Sequence, residues 1–398
     1  LTKQTAGAAA LDSAKDVLAG QQPGFALVRG KPEGSAETFI VVSVRGMPRL
    51  MLPPNGPALR TGLSSFLGAR PWVGPCSTVL PVAAKLGRSD SATLRHLSLQ
   101  SSTGARSPMR ELLSSVIDRD DYFLALRLSF GRPNAKTVAV AVSTTGEVLC
   151  FAKFGSEAMT NDLITHESAA INRFADQDLP VALPQSLYSG SWTGNCSVLV
   201  TKPLQLGPLS QQANEAHRAA DAFTAANGLE SSTLRQSAFW HRMNMRFKAL
   251  CEADGNSSDA LELLTRIEST WGEHPFDFGV SHGDWSRANV GLSGDRVAAI
   301  DWERFSESAP RGIDAAHFAI IDNSNGPPSK TLDIARLAEQ TQQHMNAADR
   351  DPSDARPLVL LALLELVARF MEAKRAGLRT KDSKFEKALQ AGLREWSQ

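Results

Sequence analysis

Between Ser281 and Glu303 the chain reads Ser281-His282-Gly283-Asp284-Trp285-Ser286-Arg287-Ala288-Asn289-Val290-Gly291-Leu292, then Ser293-Gly294-Asp295-Arg296, then Val297-Ala298-Ala299-Ile300-Asp301-Trp302-Glu303. Apolar Phe278 and Val280 lead in, polar residues break the run from His282, and Asn289 and Val290 resume a short extended segment. A tight turn over Ser293 to Asp295 sends the chain back through Val297 to Ile300 and leaves Asp301 at the strand end. Such a hairpin carries three oxygen-bearing side chains, Asp284, Asn289 and Asp301, towards one place.

Two carboxylates and an amide oxygen suit a hard divalent cation such as Mg2+, which keeps waters and takes its remaining ligands from substrate phosphates. With Asn289 and Asp301 on the metal, Asp284 is left to accept a proton from an attacking hydroxyl, the arrangement kinases use for phosphoryl transfer. His282-Gly283-Asp284, four intervening residues and Asn289, then Ile300-Asp301-Trp302, resembles the catalytic and metal-binding segments of the aminoglycoside phosphotransferase and choline kinase superfamily, which shares the protein-kinase fold. A polar surface hairpin is the plainer alternative, disfavoured because several residue types are fixed across two adjoining strands.

Upstream, Tyr122 to Phe130, Thr137 to Val142 and Val148 to Phe154 alternate as strands around turns at Gly131 to Ala135 and Thr144 to Glu147. A helix is expected after Ala158, closing at Phe174, with Thr160 or Asn161 as its cap. Lys153 falls near the end of the third strand and Glu167 two turns inside the helix, the order found in the nucleotide-holding lobe of kinases. There the ammonium reaches the α- and β-phosphates of ATP, and the glutamate holds it by an ion pair. An edge-strand lysine and a solvated glutamate are the alternatives. The glycine-rich phosphate loop is poor, since Ser129 to Lys136 holds one glycine and one proline, and no Gly-Lys-Ser/Thr P-loop occurs. Arg132, Asn134 and Lys136 are the residues expected to touch phosphate instead. Gln185 to Tyr188 and Ser197 to Val200 read as two more strands, and the hinge falls at Thr201 to Leu204, where adenine pairs with backbone. Thr201 and Pro203 are therefore expected beside the nucleotide.

The 398 residues exceed a usual single domain, so two or three lobes are expected. Lys plus Arg equals Asp plus Glu at 42 each, which gives no electrostatic case for nucleic acid or an anionic membrane. Cys76, Cys150, Cys196 and Cys251 make no metal-ligand spacing and are expected as buried thiols in a reducing compartment. No apolar run reaches membrane-span length, and Leu1 to Gln22 lacks a basic segment followed by an apolar one. A cytoplasmic protein is the expectation; its oligomeric state is not legible.

Residues 1 to 120 read as a small α+β module: short strands at Phe25 to Val28, Thr38 to Val44 and Arg49 to Leu52, then helices near Ala58 to Leu67 and Cys76 to Leu86. Its expected part is a cap or extension that shapes the mouth of the site; subunit pairing is the second choice. His96 stands alone there. From Pro208 the pattern is helical, with Gln211 to Asn227, Ser237 to Ala253 and Ala260 to Trp271 at amphipathic spacing and Pro357 to Ala376 as an apolar core helix made too polar for a membrane by Glu365 and Arg369. Asp314 is placed to cap the helix after the metal-binding segment, and a last helix runs from Ser383 to Trp396.

The resemblance spans roughly residues 120 to 375 and is specific at the catalytic segments only. It implies an α+β, protein kinase-like two-lobed fold with an extra N-terminal α+β module: residues 1 to 120 as cap, 121 to 204 as the nucleotide-binding small lobe, and 205 to 398 as the helical large lobe. It implies an ATP- and Mg2+-dependent small-molecule kinase acting on a hydroxyl of a sugar, amino sugar or aminoglycoside-type alcohol. Asp284 would be the base, Asn289 and Asp301 the metal ligands, Lys153 the phosphate anchor and Glu167 its partner. His282 would brace the catalytic loop, and Arg287, inside that loop, would neutralise charge developing on the transferred group. A kinase-like scaffold that binds nucleotide without transfer is the competing reading. A protein kinase fits less well, because Asp301-Trp302-Glu303 stands where Asp-Phe-Gly is expected and no Ala-Pro-Glu follows.

Overall fold

The computed structural model describes residues 11–377 apart from 13, 21, 24, 30–36, 45–46, 68–91, 129–133, 135, 210–212, 255–257, 325–331 and 349–351. The helix expected near Cys76 to Leu86, Arg132 and the last helix from Ser383 lie outside the described residues. The chain divides into two compact units, one of Leu1–Ser168 with Pro184–Pro203, the other of Ala169–Leu183 with Leu204–Gln398.

The first unit contains, in chain order, β1 (Phe25–Arg29), β2 (Glu37–Val44), β3 (Met47–Leu52), α1 (Gly56–Leu67), β4 (Ala92–Ser101), α2 (Pro108–Ile117), β5 (Tyr122–Arg127), β6 (Thr137–Ser143), β7 (Val148–Phe154), the start of α3 (Ala158–Arg173), β8 (Ser186–Ser191) and β9 (Ser197–Thr201). Among the described residues these strands form one sheet in the order β1-β4-β2-β3-β5-β6-β7-β9-β8, each antiparallel to its neighbours. β6 is buried along its whole length, as its Val-Ala alternation allows. Its small Ala139 and Ala141 pack with Leu124, Leu126 and Phe154, while Val140 and Val142 pack with Ala58 of α1.

The segments on either side of residue 120 share this sheet. β3 joins β5 through Leu50↔Arg127 and Met51↔Leu126. The link is reinforced by α2, whose Ser107 cap accepts from the Arg110 N–H and whose first residue is Pro108. From that helix Arg110 pairs with Glu37 of β2 at 2.8 Å and donates to the Tyr122 carbonyl of β5 at 3.1 Å. β4 has no counterpart in the sequence reading, although Leu97 and Leu99 alternate with exposed His96 and wholly buried Ser98.

The second unit contains α4 (Ala213–Ala226), β10 (Glu230–Thr233), α5 (Ala238–Asp254), α6 (Ser258–Trp271), β11 (Pro275–Ser281), β12 (Val290–Ser293), β13 (Arg296–Ala299), β14 (Ser306–Pro310), α7 (Ile313–Ser324), α8 (Ile334–Ala347) and α9 (Ala355–Arg375). Its core is helical. α9 is buried on nearly every side from Leu358 to Leu364 and packs with Trp240 and Phe247 of α5 and with Ile313 and Ile320 of α7. No helix among the described residues is long and apolar enough to cross a membrane. β10-β11-β14 form one small sheet and β12-β13 a separate hairpin. The hairpin is held on both sides: Gly207 exchanges two backbone bonds with Leu292, at 2.7 and 3.1 Å, and Ala182 bonds Val297 and Ala299 at 2.8 and 3.0 Å.

Candidate active site

The site in the second unit grows from the end of β11. Phe278 and Val280 are buried in the small sheet, and Ser281, the last residue of the strand, pairs with Ser306. The chain then turns sharply at Gly283, whose φ is +77°, and a Cβ there would lie 2.1 Å from the Arg304 carbonyl oxygen. Only glycine meets both demands. Gly283→Ala is expected to cost about 3 kcal/mol, from a left-handed backbone and a clash with main chain that cannot retreat; a urea melt with an unshifted midpoint would contradict this.

Asp314, the second residue of α7 and buried, fixes the turn: Oδ2 accepts from the His282 N–H at 2.8 Å and Oδ1 from the Gly283 N–H at 2.9 Å. From sequence Asp314 is expected to cap its helix; in the structure its carboxylate holds the His282–Gly283 turn from inside the first turn of α7. His282 is buried, and its hydrogen bonds define its tautomer. Nδ1 accepts from the Asp284 N–H at 3.1 Å, so Nε2 carries the proton and donates to the Ile300 carbonyl at 3.0 Å. Burial pulls its pKa down, which keeps the ring neutral. A ring committed at both nitrogens ties the loop to the end of the hairpin and has no proton to exchange.

Asp284 and Asn289 meet directly, since the Asn289 amide nitrogen donates to Asp284 Oδ2 at 2.7 Å and to its carbonyl at 3.0 Å. With its donor end engaged, Asn289 presents Oδ1 as an acceptor. Asp301 stands at the other edge of the same hairpin mouth, because the Ile300 N–H donates to the Asn289 carbonyl at 2.9 Å and Val290 pairs with Ala299. Its backbone is left-handed, φ 69° and ψ 52°, an uncommon state for a residue with a Cβ and one that Asp and Asn tolerate best. The carboxylates of Asp301 and Glu303 lie within 4.8 Å of each other, and Glu303 is buried. Hard oxygens grouped at one hairpin mouth fit Mg2+.

Burial pushes the Asp284 carboxyl above its usual range, with Arg369 pulling the other way, and a raised proton affinity is what a general base needs. Two neighbours of Asp284 carried no local signal in the sequence. His317 donates from Nδ1 to the Trp285 carbonyl at 3.0 Å and sets Nε2 3.4 Å from Asp284 Oδ1. Burial holds it at about 4, so the ring is neutral and its Nε2 lone pair can share a proton arriving on Asp284. Arg369, from the middle of α9, donates to the Gly283 carbonyl at 2.8 Å. Arg287 is turned elsewhere: it is exposed, pairs with Asp322 at 2.9 Å and lies over the Phe318 ring. His217 and His241 contribute nothing at this site; His217 stacks on His344, and His241 is exposed.

In the first unit Lys153 and Glu167 form an ion pair, with Nζ 2.6 and 2.7 Å from the two carboxylate oxygens. Glu167 is 1% exposed, so the pair works in a poorly solvated setting where each partner depends on the other. Thr201 ends β9, half-buried like Pro203, and the chain passes to the second unit between Pro203 and Leu204. Of the residues expected to touch phosphate, Asn134 is exposed and Lys136 buried.

No family model and no curated protein matches the chain. Among solved structures it is similar to the aminoglycoside phosphotransferase APH(4)-Ia, with 16% identity, 71% of this chain and 98% of that one covered, and a TM-score of 0.46. It is also similar to a putative fructosamine-3-kinase from Haemophilus somnus 129PT, at 12% identity, with coverage of 72% and 96% and a TM-score of 0.45. A third is the ADP-bound aminoglycoside phosphotransferase APH(2'')-Ib, at 11% identity, with coverage of 70% and 95% and a TM-score of 0.44.

Proposed function

We propose that this chain is a phosphotransferase that moves the γ-phosphate of ATP, with Mg2+, to a hydroxyl of a small molecule. One observation carries the reading: a buried, Asp314-braced loop presents Asp284, bonded to Asn289, at the mouth of a hairpin that ends in Asp301. Asp284 would accept the hydroxyl proton, with His317 behind it. Asn289 and Asp301 would hold Mg2+, which when bound neutralises charge on the phosphates. Lys153, oriented by Glu167, would anchor the α- and β-phosphates, and the backbone at Thr201 to Pro203 would meet the adenine. Sugars, amino sugars and aminoglycoside-type alcohols are the acceptors to test first.

The nucleotide half of the reading is tested apart from stability. Lys153→Met leaves Glu167 buried without its cation and is expected to cost about 3 kcal/mol. Lys153→Met combined with Glu167→Leu removes both charges and should regain most of that loss. Calorimetric titration of Mg-ATP into the double variant is expected to show affinity reduced about 10-fold or more; affinity equal to that of the parent would remove Lys153 from the nucleotide site.

A further inference from the structure

Behind the catalytic loop, wholly within the second unit, is a small cavity of about 50 Å3 whose walls include Gly283, Ser306, Arg304, Glu365 and Arg369. Most of its charges are already matched. Both oxygens of Asp314, which also lines it, accept from backbone N–H groups. Glu365 accepts from Arg246 at 2.8 Å and lies 3.7 Å from Arg369 Nε; burial pushes its carboxyl up, but the two guanidinium groups outweigh that and hold it low. Arg369 itself donates to the Gly283 carbonyl.

Arg304 differs. It follows Asp301 and Trp302 on a short 3-10 turn, lines the cavity, and its guanidinium makes no hydrogen bond or ion pair among the described residues. Burial, and after it the nearby charge of Arg369, pull its pKa down to about 10 against the opposite pull of the Glu372 and Asp284 carboxylates, and neither carboxylate forms an ion pair with it among the described residues. A guanidinium offers a planar fork of donors that matches the two oxygens of a carboxylate or phosphate.

We infer that an oxyanion carried by the acceptor, a carboxylate or a phosphate, docks on Arg304 in this cavity, making the acceptor an anionic hydroxy compound. The inference rests on the phosphotransferase reading above. Gly283, one wall of the cavity, directly precedes Asp284. The charge of Asp284 also acts on Arg304, so an acceptor anchored at Arg304 has its hydroxyl near the base, which orients it before transfer. Acidic sugars, sugar phosphates and short hydroxy acids suit such a subsite.

Inorganic phosphate, titrated calorimetrically into the full chain saturated with Mg-ADP, probes the subsite with the nucleotide site filled. Binding is expected in the parent, about 10-fold weaker or worse in Arg304→Gln, and largely kept in Arg304→Lys. Equal phosphate affinity in the parent and Arg304→Gln overturns the subsite, and the lysine variant keeps the test readable should the glutamine variant melt early. Matched acceptors then decide what the oxyanion belongs to: ADP release with glucuronate against glucose and with glycerate against glycerol. The acid of each pair is expected to be preferred, with phosphate competing against it and Arg304→Gln raising its KM about 10-fold. Phosphate that binds at Arg304 without competing contradicts the acceptor assignment. Failure of Mg-ADP to bind would instead tell against the phosphotransferase reading, while phosphate titrated without nucleotide would still decide for or against Arg304 as an oxyanion site.

Discussion

Asp284→Asn is expected to lower turnover by about 100- to 10,000-fold, the range for removing a general base, with Mg-ATP affinity nearly unchanged. The substitution isolates the chemistry because the surroundings can absorb it. The new amide oxygen can still accept from the Asn289 amide nitrogen, which meets Asp284 Oδ2 at 2.7 Å. Its NH2 would then face His317 Nε2, a lone pair 3.4 Å from Asp284 Oδ1. The loop should keep its shape and lose only its proton acceptor. Steady-state kinetics showing parental turnover would remove Asp284 from the role of base.

Asp301→Asn acts on a different step, and Mg-ATP affinity is expected to fall about 100-fold or more, with a higher Mg2+ concentration needed for half-maximal binding. The backbone argues that this loss belongs to the carboxylate. Asp301 is left-handed at φ 69°, and asparagine is the other residue that enters that region readily, so the turn survives the substitution. A negative carboxylate is exchanged for a neutral amide. An unchanged Mg2+ dependence in calorimetric titrations would exclude Asp301 as a ligand.

The hairpin from Asn289 to Asp301 is legible in the sequence because its chemistry is local: turn residues at Ser293 to Asp295, short apolar runs on either side, and polar residues at the open end. The Lys153 to Glu167 pair is legible for a related reason, since strand and helix adjoin in the chain and each residue falls one element from the other. What surrounds Asp284 is less so. Arg369 comes from a helix that begins at Ala355, far along the chain from Gly283, and in sequence it registers only as a charge that makes an apolar helix too polar for a membrane. His317 likewise reaches the loop through tertiary packing. Arg287 lies inside the loop, yet Asp322 of α7 draws it away.

In the fold, β10 and β14 escape a reading based on composition, because Glu230-Ser231-Ser232-Thr233 and Ser306-Glu307-Ser308-Ala309-Pro310 lack the β-branched and aromatic run that marks a strand. They pair because β11 lies between them and needs partners for its backbone groups. The continuity of the sheet across residue 120 is hidden for the same kind of reason. Two residue pairs between β3 and β5, and the reach of Arg110 to Glu37 and the Tyr122 carbonyl, are contacts between distant parts of the chain that no local pattern announces.

The central claim is tested most directly by ADP release from Mg-ATP across a panel of neutral sugars, acidic sugars, amino sugars, aminoglycosides and amino alcohols, with the Asp284→Asn protein as the blank. Release that depends on an acceptor and disappears in the blank is the expected result, and it names the acceptor class at the same time. A protein that binds Mg-ATP and releases no ADP with any acceptor, or releases it equally with and without Asp284, would contradict the account.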